Sequence, residues 1–155
     1  MIRNTSLKSL LPIIAIILMS CSLKPDITIA NFENGTFEGW TVNGNAFGTA
    51  PVTGAIDGQQ EISRFAGKYL VNSFHGGDDA TGSIESPEFT IKRNYINFLI
   101  GGGKRPGTYI ELIIDGKSII KSHSISESET LEWGTWDVKA YKGQNAKIKI
   151  VDNQV

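Results

Sequence analysis

The chain has 155 residues, a length typical of one domain, with 40% hydrophobic and 20% charged residues. The net charge of −1 argues against a nucleic-acid-binding surface, because phosphate binding needs clustered Lys and Arg. The 17 glycines lie mostly in short clusters between apolar runs, which indicates many tight turns and therefore many short strands.

Residues 1–21 have the pattern of an export signal and are set apart from the fold. Basic residues precede an apolar run at residues 10–19, which is shorter than the roughly 20 residues that a membrane-spanning helix needs. The run ends in Leu-Met-Ser-Cys, which resembles the lipobox of bacterial lipoproteins. We therefore expect a lipid on Cys21, the only cysteine, with residues 22–26 as a tether. The expected location is the cell envelope, with the protein anchored to a membrane whose side the sequence leaves open.

Residues 27–155 are expected to form one all-β domain, an antiparallel β-sandwich. Short apolar or alternating runs are broken by turn residues about every ten positions, and this pattern is typical of sandwiches. Residues 94–100 form the most apolar run and predict a central strand with both faces partly covered. In chain order, the predicted strands are residues 27–32, 40–42, 69–73, 81–85, 88–92, 94–100, 109–114, 117–121, 131–138 and 146–151.

Two of these predictions are sharper than the rest. Asp115-Gly116 lies between two apolar runs, and an Asp-Gly pair favours a type I′ hairpin turn because both central residues need a positive φ. Residues 146–151 alternate cleanly, with Ala146, Ile148 and Ile150 on one face, which predicts a half-buried strand.

The sequence carries no recognisable catalytic motif. There is no Gly-x-Ser-x-Gly nucleophile elbow, and the histidines His75 and His123 have no partner pattern. Gly101-Gly102-Gly103-Lys104 resembles a phosphate loop only superficially, because Arg105 stands where Ser or Thr is needed and no helix follows. The glycines are better explained by a bend at the end of a strand.

Several residues are candidates for ligand contact. Trp133 and Trp136 are three positions apart and must face opposite sides of a strand, so one is expected in the core and one exposed. Trp133 is the candidate for stacking on a sugar. His75, Asp78 and Arg105 lie in predicted loops and are further candidates for ligand contact, although solvated loop residues would show the same pattern.

A structural calcium ion is a second possibility. Calcium prefers oxygen ligands. Glu33 with nearby carbonyl groups could supply them, as could the adjacent Asp78 and Asp79, although adjacent aspartates in a glycine-rich loop are more often a solvated turn.

Longer stretches of the chain resemble known modules. Residues 31–35 and 39–42 open like many galactose-binding-like carbohydrate modules, and residues 136–143 with 146–152 look like their closing portion. The series Gly-Lys-Tyr-Leu-Val-Asn-Ser-Phe-His-Gly-Gly-Asp at 67–78, then 81–91 and 94–103, resembles the N-terminal β-sandwich of levanase-like glycoside hydrolases of family thirty-two. The resemblance implies a galactose-binding-like jelly roll and a parent enzyme that degrades levan or inulin-type fructans.

The same resemblance implies that this chain alone is not an enzyme. The family's Asn-Asp-Pro and Arg-Asp-Pro motifs are absent, since none of the five prolines follows Asp. The family's module also continues into one more strand, so we expect a fragment with an unpaired sheet edge. The expected partner is a β-fructan or another neutral glycan. A stand-alone surface glycan-binding lipoprotein and a structural sandwich without a sugar site remain alternatives.

Overall fold

The computed structural model describes residues 24–154, so the predicted signal segment and Cys21 lie outside the described residues. The described part is all-β, apart from one short 3-10 turn at Lys139–Tyr141. The strands are β1 (Thr41–Gly44), β2 (Gly82–Glu85), β3 (Phe89–Thr90), β4 (Tyr95–Gly102), β5 (Thr108–Ile114), β6 (Lys117–Ser122), β7 (Ser128–Asp137) and β8 (Asn145–Asp152).

The strands form two antiparallel sheets, which confirms the predicted fold class. The larger sheet has the order β1-β2-β8-β5-β6, and the short β3 pairs with the first residues of β8. The smaller sheet contains β4 and β7 alone. Among residues 24–154, no helix is long and apolar enough to cross a membrane.

The core lies between the two sheets, as expected for a sandwich. Side chains of β4 and β7 meet those of β5 and β8 there, and the ring of Phe98 packs 4.7 Å from that of Trp136. The buried members of this cluster are Ile91, Ile96, Ile110, Leu112, Ile114, Trp136, Val138, Ala146 and Ile148. A second cluster around Phe37, Phe47 and Ile84 lies beneath β1 and the loops that follow it.

The two sharper predictions are confirmed. Asp115 and Gly116 have φ values of 49° and 72°, the positive values that a type I′ turn requires between β5 and β6. In β8, Ala146 and Ile148 are buried in the core as the alternation predicted. Val151, on the opposite face, is also buried, so that end of the strand is covered on both sides.

Two predicted strands are absent, and the physical reason is the same for both. Residues 27–32 form no strand, and Ile27 and Ile29 stay 47% and 37% exposed. Residues 69–73 contribute only an isolated bridge between Leu70 and Val52. Apolar alternation favours an extended backbone, but a strand also needs a run of paired partners. In the described part of the chain, residues 27–32 have no such partner and residues 69–73 pair only at Leu70 with Val52.

The prediction that residues 94–100 form a central strand is wrong. β4 pairs with β7 on one side, and no strand of residues 24–154 pairs with its other edge. One face of β4 is buried through Ile96, whereas Tyr95 on the opposite face is 47% exposed. The run is apolar because Ile96, Phe98 and Ile100 pack in the core, whereas the opposite face carries only the half-buried Leu99 as an aliphatic residue.

Candidate functional site

A wide cleft of about 2330 Å³ runs along the unpaired edge of β4. It is lined by residues from both faces of the strand, Ile96 and Phe98 on the inner face and Asn97 and Leu99 on the outer face. Lining from both faces means that the cleft opens at the edge of the strand. The segment at residues 26–32 also lines it.

The inner wall of the cleft is apolar and aromatic. Phe32 and Trp40 pack with their ring centroids 5.0 Å apart, and both line the cleft. Phe98 can lie flat against β7 because its cross-strand partner is Gly134, where an added Cβ would come within 2.4 Å of the Phe98 ring. This wall continues the core directly, which gives the cleft a rigid base.

A polar network lines the same cleft. The Asn72 Nδ2 group donates to Gln59 Oε1 at 2.7 Å, and the Phe74 backbone N–H donates to Asn72 Oδ1 at 3.0 Å. Gln59 Nε2 donates to Glu129 Oε2 at 3.4 Å. Asn72 is buried and bonded at both ends of its amide, so it holds the network in place.

Glu129 is the carboxyl group of this network, and its pKa is shifted. Partial burial raises the pKa of Glu129 above its ordinary value, the hydrogen bond from Gln59 opposes this, and the negative charge of Asp78 adds to the rise. Carboxyl and amide groups together supply donors and acceptors of the kind that bind hydroxyl groups.

The two tryptophans of β7 lie on opposite faces, as predicted. Trp136 is 3% exposed, and its Nε1 group donates to Ser122 Oγ at 2.8 Å. Trp133 is 66% exposed on the outer face, opposite Leu99 of β4. A large aromatic ring left in solvent without a core partner is available for contact with a ligand.

The structure brings three of the four predicted ligand residues to one cleft. Trp133, Asp78 and Arg105 line it, from β7, from the loop before β2 and from the loop between β4 and β5. His75 is not among its lining residues. That histidine is exposed, its backbone N–H donates to Ala46 O at 3.0 Å, and its ring lies against Gly48.

Glu33 has a clear role within the fold. Its carboxylate accepts hydrogen bonds from the backbone N–H groups of Lys68, at 3.0 and 3.1 Å, and of Tyr69, at 3.2 Å. Within residues 24–154, no group of three or more His, Cys, Asp or Glu side chains is placed to hold a metal ion. Calcium binding at Glu33 stays a prediction.

Several residues that line the cleft were not predicted from the sequence. Gln59, Asn72 and Glu129 come from distant parts of the chain, and no local pattern marks them. Tyr95 and Asn97 could have been found, because strict alternation along residues 94–100 places them together on the face opposite Ile96.

Comparison with known proteins adds one relationship. A protein of Aspergillus rugulosus named "Putative glycosyl hydrolase ecdE" is 43% identical over 122 residues, which cover 78% of this chain. The chain is related to part of that protein. It spans only 17% of the length of this relative. No family model matches the chain, and no solved structure matches it significantly.

Proposed function

We propose that the chain is a non-catalytic, glycan-binding module of a glycoside hydrolase that acts on β-fructans. The observation that carries the proposal is Trp133, an aromatic ring 66% exposed on a rigid strand beside a cleft lined by amide and carboxyl groups. Sugar rings present apolar C–H faces and polar hydroxyl edges, so they need both an aromatic surface and hydrogen-bonding side chains.

The relative from Aspergillus rugulosus supports the connection with glycoside hydrolases. Its name describes a glycosyl hydrolase, and this chain corresponds to a small part of it. A reaction centre for fructan hydrolysis is not part of the proposal, because the Asp-Pro motifs of levanase-like enzymes are absent from the sequence. The fructan specificity comes from the sequence resemblance alone and is the finer part of the proposal.

Membrane attachment through Cys21 is a separate part of the proposal. The basic start, the short apolar run and the terminal Cys support it. Expression in a bacterial host should place the protein in the membrane fraction, and Cys21→Ala should move it to the soluble fraction or leave it uncleaved. Unchanged membrane partitioning of Cys21→Ala would contradict lipidation.

The test of glycan binding is isothermal titration calorimetry of the purified chain with levan and inulin oligosaccharides. Cello-oligosaccharides serve as the non-fructan control. We expect saturable heat with a fructan, loss of that heat in Trp133→Ala, and unchanged heat in Ile125→Ala. Ile125 is the matched control because it is also a large exposed apolar residue, at 60%, and does not line the cleft.

Three results would contradict the proposal in different ways. Binding of cello-oligosaccharides but not fructans would overturn the fructan specificity and keep the glycan module. Absence of heat with every oligosaccharide would overturn glycan binding. Release of fructose by the purified chain would overturn its non-catalytic role.

A further inference from the structure

The outer face of the smaller sheet carries three neighbouring cross-strand pairs. Each pair consists of one β4 residue and one β7 residue. Because side chains alternate along a strand, both side chains of these pairs point away from the core. We call this array the outer platform. Its pairs are Tyr95 with Asp137, Asn97 with Thr135, and Leu99 with Trp133.

The outer platform has an exposed aromatic ring at each end. Trp133 is 66% exposed at one end and Tyr95 is 47% exposed at the other. Trp133 lies opposite Leu99, four residues along β4 from Tyr95, so the two rings are separated by about 13 Å along the strands. One small ring stacked on Trp133 cannot also reach Tyr95.

The middle of the outer platform is polar. The Thr135 hydroxyl donates to Asn97 Oδ1 at 2.9 Å. This bond fixes the orientation of the Asn97 amide, and it leaves the two donors of the amide NH2 group unused by Thr135. Both side chains are exposed, so they can meet the hydroxyl groups of a ligand that lies between the two rings.

At the Tyr95 end of the outer platform, the negative charge of Asp137 is compensated by the neighbouring Lys139. The Lys139 ammonium group lies 3.1 Å from Asp137 Oδ2 and donates to the Tyr95 hydroxyl at 2.6 Å. It also lies 4.6 Å from the centroid of the Tyr95 ring, which steadies that ring. A surface with one compensated ion pair suits a neutral ligand rather than an anionic polymer.

We propose that the outer platform binds a neutral linear oligosaccharide in an extended form, running along β4 and β7. One sugar ring stacks on Trp133, a later ring stacks on Tyr95, and the hydroxyl groups between them bond to Asn97 and Thr135. This inference rests on the proposed glycan-binding function and adds the path, the minimum length and the neutral charge of the ligand. Apart from Asp137, the residues of the platform line the same cleft along β4 as the polar network.

The test measures affinity against oligosaccharide length, from the disaccharide to the hexasaccharide of the glycan that binds best. We expect affinity to rise with length until the ligand reaches both rings, and then to level off. Tyr95→Ala should weaken binding of the longer ligands about five- to tenfold and leave the disaccharide affinity unchanged. Tyr95→Phe keeps the ring and should bind the longer ligands nearly as well as the unmodified protein.

The outcomes separate this inference from the proposed function. Binding that depends on Trp133 but neither rises with length nor responds to Tyr95→Ala would overturn the extended path and leave the glycan module intact. Stronger binding of an anionic polysaccharide would overturn the neutral ligand. Absence of binding with every ligand would overturn both proposals. Circular dichroism of Tyr95→Ala must match that of Tyr95→Phe, which shows that lost affinity is not lost folding.

Discussion

Two tryptophans of β7 lie in opposite environments, one in the core and one on the surface. The Trp136 side chain fills the space between the sheets against Phe98, and its ring nitrogen is bonded to Ser122. Trp133, three residues earlier, leaves its ring in solvent. Because the two residues share a strand and a residue type, they allow the core and the surface to be compared directly.

Truncation of the buried tryptophan should destabilise the fold strongly. Trp136→Ala is expected to lower the free energy of unfolding by about 3–5 kcal/mol, because it opens a cavity and removes a buried ring. Trp133→Ala should change it by no more than about 0.5 kcal/mol. Urea unfolding of both variants measures the difference, and equal midpoints would contradict the assignment of the two faces.

Stability should also respond to the protonation of Glu129. Its pKa is raised in the folded state, mainly by burial, so the folded protein holds the proton more tightly than the unfolded chain. The resulting contribution is favourable at low pH and is lost as pH rises from the unfolded value of 4.5 through the higher folded pKa.

The variant that isolates this effect is Glu129→Gln, which cannot ionise and still accepts a hydrogen bond from Gln59. Its Tm relative to the unmodified protein should be more favourable at pH 7 than at pH 3.5. Glu38→Gln, a change at an exposed carboxylate, is the control and should show no comparable trend. A Tm difference for Glu129→Gln that is the same at both pH values would count against the raised pKa.

At the level of single residues, the features that could be predicted from the sequence are those that depend only on the alternation of side chains along a strand. The opposite faces of Trp133 and Trp136 follow from their spacing, whichever strand lies alongside. The network of Gln59, Asn72 and Glu129 could not be predicted, because 70 residues separate Gln59 from Glu129 and only the fold brings them together.

Among the elements, the hairpin of β5 and β6 depends most on its turn. Asp115 and Gly116 both have positive φ, and a Cβ added at Gly116 would meet no atom within 4 Å. The only penalty for a side chain at Gly116 is therefore backbone strain in the left-handed region, which costs roughly 1–2 kcal/mol.

A substitution at Gly116 therefore tests backbone strain without a change in packing. Gly116→Ala should lower the free energy of unfolding by about 1 kcal/mol. Gly54→Ala is the matched control, because Gly54 also has open space around its Cβ position and does not have a positive φ. The control should be neutral or slightly stabilising, since it reduces the entropy of the unfolded chain. Equal losses in thermal unfolding would show that the turn does not require glycine.

The hairpin was predictable because all its signals lie within a few residues. Residues 27–32 and 69–73 had comparable apolar patterns, yet neither forms a regular strand in the described part of the chain. The composition of β4 predicted a central strand, but no strand among residues 24–154 pairs with its second edge. Whether an apolar run forms a strand depends on its pairing partner, and outside the β5–β6 hairpin the partners in this fold are distant in sequence.

For the whole molecule, the order of strands brings the site together. β8, the last strand, lies in the middle of the larger sheet between β2 and β5. An all-β sandwich could be predicted from the sequence but this strand order could not, because antiparallel pairing between distant strands leaves no local pattern. The smaller sheet of two strands leaves its outer face exposed and the edge of β4 open to the cleft.

An open edge beside an apolar wall also affects the behaviour of the whole chain. Unpaired strand edges favour pairing between molecules. A strand added in trans that pairs with β4 should therefore raise the stability of the sandwich. Ile27 and Ile29, which are 47% and 37% exposed, also line the cleft.

The central claim is that this sandwich offers a glycan-binding surface on β4 and β7. The most direct measurement is a titration of the isotopically labelled chain with a levan oligosaccharide, followed by amide chemical shifts. We expect the largest shifts at Trp133, Thr135 and Asn97, with the buried strand β8 unaffected. Shifts confined to other surfaces, or no shifts with any neutral oligosaccharide, would contradict the account.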